Sequence, residues 1–399
     1  MRLRDLLAIL TLAIFWYALV PIMGAFAVRR VWREMRRRFD VLRVVPVLNY
    51  ATAQGLDGTG ADFRFFGGFE SVVDDKILWV RNAGLTIPVE LSGARVYLLP
   101  AAGQVDSADP TRKESAGPDE EPRQIRWKQV AALSEGAKVF IGGRALKREG
   151  RACFESLPEE PLLIILYDGS ERSMLSRTVR AGRKKNEYWN VLTPYSLAAG
   201  IFSELVVAFS LASRPAFGAA FSLALAAAFG PLFPLLPPGL GFTAVFRSLW
   251  RRGRACRATR DLVRLPLCHL EGGQSVTILP DGSRYGRLLM SEERRRAGAS
   301  HVPIVPAEAE TEADAHPEAS PKKLEWWCYG AVAGEGEATT VSEPQDPSAA
   351  FAAIPGNPEL VAREYISQAR LFEISAIAAL LTGICLNAAL AYYLISYLR

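Results

Sequence analysis

Histidine and cysteine are scarce in this chain, and the sequence motifs of common enzymes are missing. Among 399 residues there are 3 histidines and 5 cysteines. The cysteines have no paired C-x-x-C spacing, and the chain contains no G-x-S-x-G, H-E-x-x-H or G-K-[ST] motif. These absences argue against a zinc protein, a disulfide framework and the common hydrolase and phosphate-loop classes. We therefore expect no enzyme activity, no catalytic or metal-binding residue and no cofactor.

Charged residues are also few, and the chain contains long apolar segments. The chain is 50% hydrophobic and 22% charged, with a mean hydropathy of +0.10. Four apolar segments cover residues 6–28, 195–213, 216–238 and 374–398. About 20 apolar residues in a helix suffice to cross a bilayer core of about 30 Å. The sequence predicts an α-helical integral membrane protein with four transmembrane helices, of which the second and third form a hairpin.

Basic residues lie mainly on one side of these four segments. Within 15 residues of the segment ends, one side carries sixteen: Arg29, Arg30, Arg33, Arg36, Arg37, Arg38, Arg43, Arg180, Arg183, Lys184, Lys185, Arg247, Arg251, Arg252, Arg363 and Arg370. The other side carries four: Arg2, Arg4, Arg214 and Arg399. The positive-inside rule then places the soluble regions in the cytoplasm and both termini outside, as in a multi-pass protein of a bacterial inner membrane.

The first apolar segment has a second interpretation. It ends in Ala25-Phe26-Ala27, which is similar to a signal-peptidase site, and Arg2 and Arg4 precede it. The dense arginine block that follows opposes translocation, which favours an uncleaved membrane anchor.

The two hydrophilic regions carry strand-like patterns. Short β-branched and aromatic runs separated by glycine turns predict a small barrel or sandwich at 29–194, with a flexible loop at 101–124. A smaller β module is expected at 239–373, with a strand at 261–267, a hairpin around 280–282 and disorder at 293–323. The predicted domains are thus a helix at 1–28, module A at 29–194, a helical hairpin at 195–238, module B at 239–373 and a helix at 374–399. A helix that begins at 358 would continue into the last of them.

The two halves of the chain share a sequence pattern. Asp40-Val41-Leu42-Arg43, followed by Pro46, is echoed by Asp261-Leu262-Val263-Arg264, followed by Pro266. Each half has an inward-running helix, a basic junction, a cytoplasmic module and an outward-running helix. This order predicts an internal duplication with parallel repeats. The alternative is chance similarity between two arginine-rich segments that share their composition for topological reasons.

Two sets of residues are candidates for function. Glu204 lies nine residues into the second apolar segment, where a carboxylate is costly. It is either a proton or cation site, or it lies near the interface, where it could pair with Arg214. Basic residues beside the apolar segments are candidate contacts for anionic lipid headgroups, or they only anchor the helices. They are Arg29, Arg30, Arg33, Arg247, Arg251 and Arg254.

The segment 134–143, SEGAKVFIGG, opens a hairpin in a β module that lies between two apolar helices. This arrangement resembles uncharacterised multi-pass proteins of bacterial inner membranes, and it is similar to the module between the two membrane spans of the GIDE family. Ubiquitin-ligase chemistry does not carry over, because no RING-type series of cysteine and histidine follows.

The leading functional prediction is a membrane-anchored scaffold or interaction protein that presents paired β modules at the cytoplasmic membrane face. The alternative is a small transporter or channel component that uses Glu204. The expected partners are the lipid bilayer with its anionic headgroups and a protein partner or second copy of the chain, but no nucleic acid.

Overall fold

The computed structural model describes residues 3–82, 84–100, 122–132, 137–184, 189–213, 218–270, 274–291, 325–334 and 340–397. The chain divides into two compact units. The first comprises Met1–Arg33, Asn186–Cys256 and Ser367–Arg399, and the second comprises Glu34–Lys185 and Arg257–Ile366. The predicted disorder at 293–323 lies outside the described residues, as does the predicted loop at 101–124 except for its last three residues.

The α-helices are α1 (Leu3–Ile14), α2 (Val20–Leu42), α3 (Tyr50–Gln54), α4 (Glu171–Lys184), α5 (Leu192–Ala212), α6 (Gly218–Ala228), α7 (Gly239–Arg264) and α8 (Pro358–Tyr397). A π-helical segment, Phe15–Leu19, joins α1 to α2. Short 3-10 helices cover Trp127–Ala132, Gly230–Leu235 and Pro266–His269.

The strands of the first sheet are β1 (Ala61–Val73), β2 (Ile77–Asn82), β3 (Leu85–Glu90), β4 (Arg95–Leu98), β5 (Arg123–Ile125), β6 (Lys138–Arg148), β7 (Arg151–Phe154) and β8 (Leu163–Tyr167). Those of the second sheet are β9 (Val276–Ile278), β10 (Arg284–Ser291), β11 (Glu325–Ala333), β12 (Thr340–Ser342) and β13 (Ala352–Pro355).

In the part of the chain that the structure describes, three helices are long and apolar enough to cross a membrane: Leu6–Leu42, Leu192–Ala212 and Pro358–Tyr397. The side chains of α5 show how such a helix is adapted to lipid. Phe202 and Phe209 are exposed, whereas Ser196, Gly200 and Glu204 are buried. Small and polar residues that face inward and large apolar residues that face outward are typical of helices that pack in a membrane.

The predicted third span at 216–238 is not one membrane-length helix. Its α-helical part, α6, has 11 residues, which is roughly 16 Å at 1.5 Å per residue. The 3-10 helix Gly230–Leu235 follows, with Pro231 and Pro234 inside it. Proline lacks the backbone N–H and clashes with the preceding turn, so a regular α-helix cannot continue here. The prediction of four membrane-length helices is therefore not confirmed within the described residues.

Polar side chains satisfy the backbone at this break. Asn387 Nδ2 on α8 donates hydrogen bonds to the carbonyl oxygens of Phe233 and Leu236, at 2.6 and 2.9 Å. Thr243 Oγ1 on α7 donates to the carbonyl oxygen of Pro234 at 2.8 Å. Asn387 is 4% exposed. Carbonyl groups that a broken helix frees need such partners where water is absent.

A closed barrel forms the first part of the second unit. The ring order is β1-β2-β3-β7-β6, and β6 pairs back with β1. Neighbours are antiparallel except for β3 and β7, which are parallel. This is the connectivity of an OB-fold barrel, and it confirms the expected β-rich module. Strands β8, β4 and β5 extend the sheet outward from β6.

The closure depends on the shape of β1, which pairs with β6 over residues 61–68 and with β2 over residues 68–73. A register shift between Phe69 and Ser71 bends the strand between the two partners. At Gly67 a Cβ atom would lie 2.6 Å from the Val80 side chain and 2.8 Å from the Arg81 carbonyl oxygen. Only glycine fits this close approach of two strands.

The barrel interior is filled by apolar side chains. The fully buried members of this core include Phe65, Leu78, Val80, Ile87, Val89, Val139, Ile141 and Phe154. The barrel thus has a packed apolar core.

The second sheet is antiparallel, with the order β12-β11-β10-β9 and with β13 beside β11. The predicted hairpin around 280–282 joins β9 to β10. The connectivity of this sheet differs from that of the barrel, and the internal duplication is not confirmed.

The predicted helix from 358 is confirmed as the start of α8, where Asn357 Oδ1 accepts a hydrogen bond from the Glu359 N–H at 2.9 Å.

The predicted strand at 261–267 is wrong. These residues end α7 and enter the 3-10 helix Pro266–His269. Ala258, Leu262 and Leu265 are buried at helical spacing. A short apolar run alone does not distinguish a buried strand from the end of a helix.

Candidate functional site

Glu204, the acidic residue predicted as a candidate functional site, is fully buried. Its relative exposure is 0%, and it lies on the inward face of α5. Neither carboxylate oxygen has a hydrogen-bond partner within the described part of the chain. Arg214, the predicted ion-pair partner, lies outside the described residues, and both interpretations of Glu204 stay predictions.

Tyr17 lies beside Glu204 in the π-helical segment between α1 and α2, close enough for an electrostatic interaction. A Cβ atom at Gly200 would be 2.3 Å from Cε1 of the Tyr17 ring. The glycine one turn before Glu204 therefore makes room for the ring. π-Helical segments occur frequently at functional sites, and buried acidic groups in membrane helices mark proton and ion pathways.

The six arginines predicted to contact headgroups differ in exposure. Exposed are Arg30, Arg33, Arg247 and Arg251. The guanidinium group of Arg29 lies 5.9 Å from the centre of the Phe26 ring. Arg254 is only 7% exposed, and its guanidinium lies 4.6 Å from the centre of the Trp250 ring. Contact of these residues with lipid headgroups stays a prediction.

A buried ionic network lies in the second unit. Arg64 on β1 forms an ion pair with Asp346, and both side chains are buried. The Arg64 guanidinium also donates a hydrogen bond to the carbonyl oxygen of Arg43. Arg43 directly follows α2, so no N–H of a further helical turn is present to bond this carbonyl. Ser348 Oγ lies within hydrogen-bond distance of the same carbonyl, at 3.2 Å, and of Asp346 Oδ1, at 2.7 Å, and its one proton can be donated to either acceptor. Burial lowers the pKa of Arg64, and the negative charge of Asp346 opposes this shift.

His269 lies next to this network and is also buried. Its ring centre is 5.1 Å from that of Tyr285, whose hydroxyl donates to the Ala350 carbonyl oxygen at 2.6 Å. Burial, followed by the positive charge of Arg43, lowers the pKa of His269 to about 4. The imidazole is therefore neutral near pH 7.

Sequence reasoning missed the Arg64–Asp346 pair and the role of Asn387. The only sequence signal at Arg64 is an arginine among phenylalanines in a strand-like run, and nothing in the sequence indicates a partner 282 residues away. Asn387 offered a clearer signal, because it is a polar amide in a long uncharged segment.

A comparison with family models, with curated proteins and with solved structures finds no match to this chain.

Proposed function

We propose that this protein is a membrane-anchored scaffold that presents its two β-sheets for interaction at the cytoplasmic face of a bacterial inner membrane. Four membrane segments hold it there, the third broken between α6 and α7, with both termini outside. The asymmetry of basic residues supports this topology. The hydrogen bonds from Asn387 to Phe233 and Leu236 support a membrane position for the broken segment. The similarity to the GIDE family enters this proposal only as a shared arrangement of a β module between two helices.

The observation that carries the interaction role is the filled barrel, together with the buried pair that joins it to the rest of its unit. A filled interior leaves the outer surface as the place where a partner binds. The Arg64–Asp346 pair ties β1 to the segment between β12 and β13. The two sheets therefore present a composite surface, and membrane anchoring raises its effective concentration toward partners in the same plane.

The barrel surface favours a protein partner over a nucleic acid. OB-fold barrels bind oligonucleotides beside the turns that join β1 to β2 and β6 to β7 in this barrel. Here the first turn carries Asp74, Asp75 and Lys76, and the second carries Glu149 between Arg148 and Arg151. A phosphate backbone requires a continuous basic surface, which these mixed turns do not provide.

A photo-crosslinking residue in place of Thr86, exposed on β3, tests the interaction in intact cells. We expect a discrete crosslinked protein species, either a heterologous partner or a second copy of the chain. The same residue in place of Phe209, which is 83% exposed on α5, is the matched control and should give lipid adducts only. The absence of a protein adduct at Thr86 and at exposed Ser71 would contradict the proposal.

The topology has its own test. A protease-cleavable tag inserted near residue 120 should resist protease added outside intact cells and become cleavable after the cells are lysed. Cleavage in intact cells would place this region outside and refute the cytoplasmic orientation.

A transporter or channel component is the second candidate, and the unpartnered carboxylate of Glu204 beside Tyr17 supports it. In proteoliposomes that contain a pH-sensitive dye, Glu204→Gln should abolish a proton flux that the wild-type chain supports. Glu359→Gln, which changes an exposed acid at the start of α8, is the control and should leave the flux unchanged. Equal flux in the wild type and Glu204→Gln would eliminate this candidate.

A further inference from the structure

The two Asp-x-x-Arg segments meet at one cavity. A cavity of about 380 Å³ in the second unit is lined by Asp40 and Arg43 from the end of α2 and by Asp261 and Arg264 from the end of α7. Its size lies within the range of small-molecule pockets. The residues that are similar in the two halves of the sequence are therefore also close in space.

Positive charge dominates the cavity lining. Arg36, Arg183 and Arg260 also line it, so that five arginines face two aspartates. Asp261 is already neutralised, because its carboxylate accepts hydrogen bonds from Nε of Arg183 at 2.7 Å and from Nε of Arg260 at 2.8 Å. The lining carries a formal excess of three positive charges.

Arg43 is the residue that points to a ligand. Its side chain is 1% exposed, and its Nε lies 3.5 Å from Asp40 Oδ1. Within the described residues, Nε and Nη1 of Arg43 have no hydrogen-bond partner. A buried charged donor without an acceptor is costly. Arg43 also lines the cavity, so an anion bound there would place a negative charge beside this guanidinium.

We propose that this cavity binds a phosphate group, with Arg43 and Arg264 as its principal ligands. The planar guanidinium fork matches the oxygens of phosphate in a bidentate manner. The phosphate could belong to a soluble phosphorylated molecule or to a phospholipid headgroup. This inference is independent of the scaffold and transport proposals.

The position of Arg43 favours a soluble ligand. Arg43 follows Val28, the last residue of the first apolar segment, by 15 residues of a helix that ends at Leu42. That length corresponds to roughly 22 Å at 1.5 Å per residue, whereas each interfacial layer of a bilayer is only about 5 to 8 Å thick. The separation along α2 thus exceeds the thickness of one interfacial layer, which favours a phosphate group on a soluble molecule over one on a lipid.

The test uses the full chain in a neutral detergent, with inorganic phosphate as the probe and the shift of the thermal unfolding midpoint as the readout. We expect phosphate to raise the midpoint of the wild type, and Arg264→Gln to need at least roughly tenfold more phosphate for the same shift. Arg264 is exposed, so this variant should fold. Arg151→Gln removes the same charge from an exposed turn of the barrel and should behave like the wild type.

A second probe identifies the source of the phosphate group. Short-chain phosphatidic acid is compared with short-chain phosphatidylcholine in the same assay. If phosphate raises the unfolding midpoint at least as much as phosphatidic acid does, the ligand is a soluble molecule. If only phosphatidic acid raises the midpoint, the ligand is a lipid headgroup. Arg43→Lys keeps the charge but loses the fork, and it should weaken binding in either case. No response to either probe, or an equal response in wild type and Arg264→Gln, would overturn the proposal.

Discussion

The side-chain amide of Asn387 on α8 lies 2.6 Å from the carbonyl oxygen of Phe233, at the point where the third apolar segment leaves α-helical geometry. One helix thus supplies the donor that a broken neighbouring segment lacks. In a regular helix the Phe233 carbonyl would accept from the N–H of residue 237, which is a proline and has none, so the amide of Asn387 takes its place.

Replacement of Asn387 by leucine should destabilise the first unit. It would leave the carbonyl group of Phe233 without its donor, at a cost of about 1 to 3 kcal/mol, whereas the Leu236 carbonyl would keep its hydrogen bond from the Leu240 N–H at 2.9 Å. Thermal unfolding in detergent measures the effect. Leu386→Ala changes an exposed neighbour on the same helix and should have a much smaller effect. A midpoint for Asn387→Leu equal to that of the wild type would show that the contact is dispensable.

Alanine substitutions at two glycines should have effects of opposite sign. Gly→Ala in a helix stabilises by about 0.5 to 1 kcal/mol when there is space. At Gly241 on α7 no atom lies within 4 Å of the new Cβ, so Gly241→Ala should be neutral or stabilising. At Gly200 the new Cβ would lie 2.3 Å from the Tyr17 ring, so Gly200→Ala should destabilise by about 1 to 3 kcal/mol. The thermal unfolding midpoints of the two variants test this prediction. Equal midpoints would refute close packing at Gly200.

The buried pair Arg64–Asp346 should matter far more than an exposed pair. Asp346→Ala would leave the Arg64 guanidinium buried without its counter-charge, which costs about 3 to 5 kcal/mol. Glu343 pairs with Arg172, and these side chains are 44% and 47% exposed, respectively. Glu343→Ala should therefore cost about 0 to 1 kcal/mol. Chemical denaturation of the two variants measures the difference, and similar losses would contradict the network.

His269 should make stability depend on pH on the acidic side of neutrality. Its pKa is about 4 in the folded chain and about 6.5 when unfolded. Between these values the unfolded state binds more protons, so the contribution of His269 to the free energy of unfolding rises from pH 4 to 6.5 and is constant above. The difference is about 3 kcal/mol, at 1.36 kcal/mol per pKa unit.

The neighbouring charges are Arg43, Asp346 and Arg64. Measurement of unfolding by denaturant at pH 4.5 and 7.5 tests the prediction. His269→Phe keeps an aromatic ring against Tyr285 and should lose this part of the pH dependence. An unchanged profile in this variant would rule out His269 as its origin.

The local pattern of the sequence predicted much of the fold. β-Branched and aromatic runs between glycine turns predicted the β-rich module at 29–194, and the helix that begins at 358 was predicted as the start of α8. What escaped prediction depends on distant partners. The pairing of β1 with β6 joins residues such as Ala61 and Ala145, and β7 is too short to show a period. Such pairings depend on tertiary packing, which local propensity does not encode.

The candidate sites show the same division. The position of Glu204 in an apolar segment was enough to single it out, and a functional role for this residue stays a prediction. The similarity between the Asp40–Arg43 and Asp261–Arg264 segments was also visible in the sequence. Their meeting at one cavity was not, because the second segment had been assigned to a strand, whereas it is the end of α7.

The Arg64–Asp346 pair joins two parts of the chain that are synthesised far apart in time. All strands that close the barrel have been made once residue 154 is complete, yet the carboxylate that neutralises Arg64 belongs to Asp346. Until that residue is made, nearly two hundred residues later, the nascent barrel holds a guanidinium ion without its counterion. A truncated barrel expressed by itself would stay in that unfinished condition. A low stability of the truncated barrel would result from the truncation and would not measure the stability of the native protein.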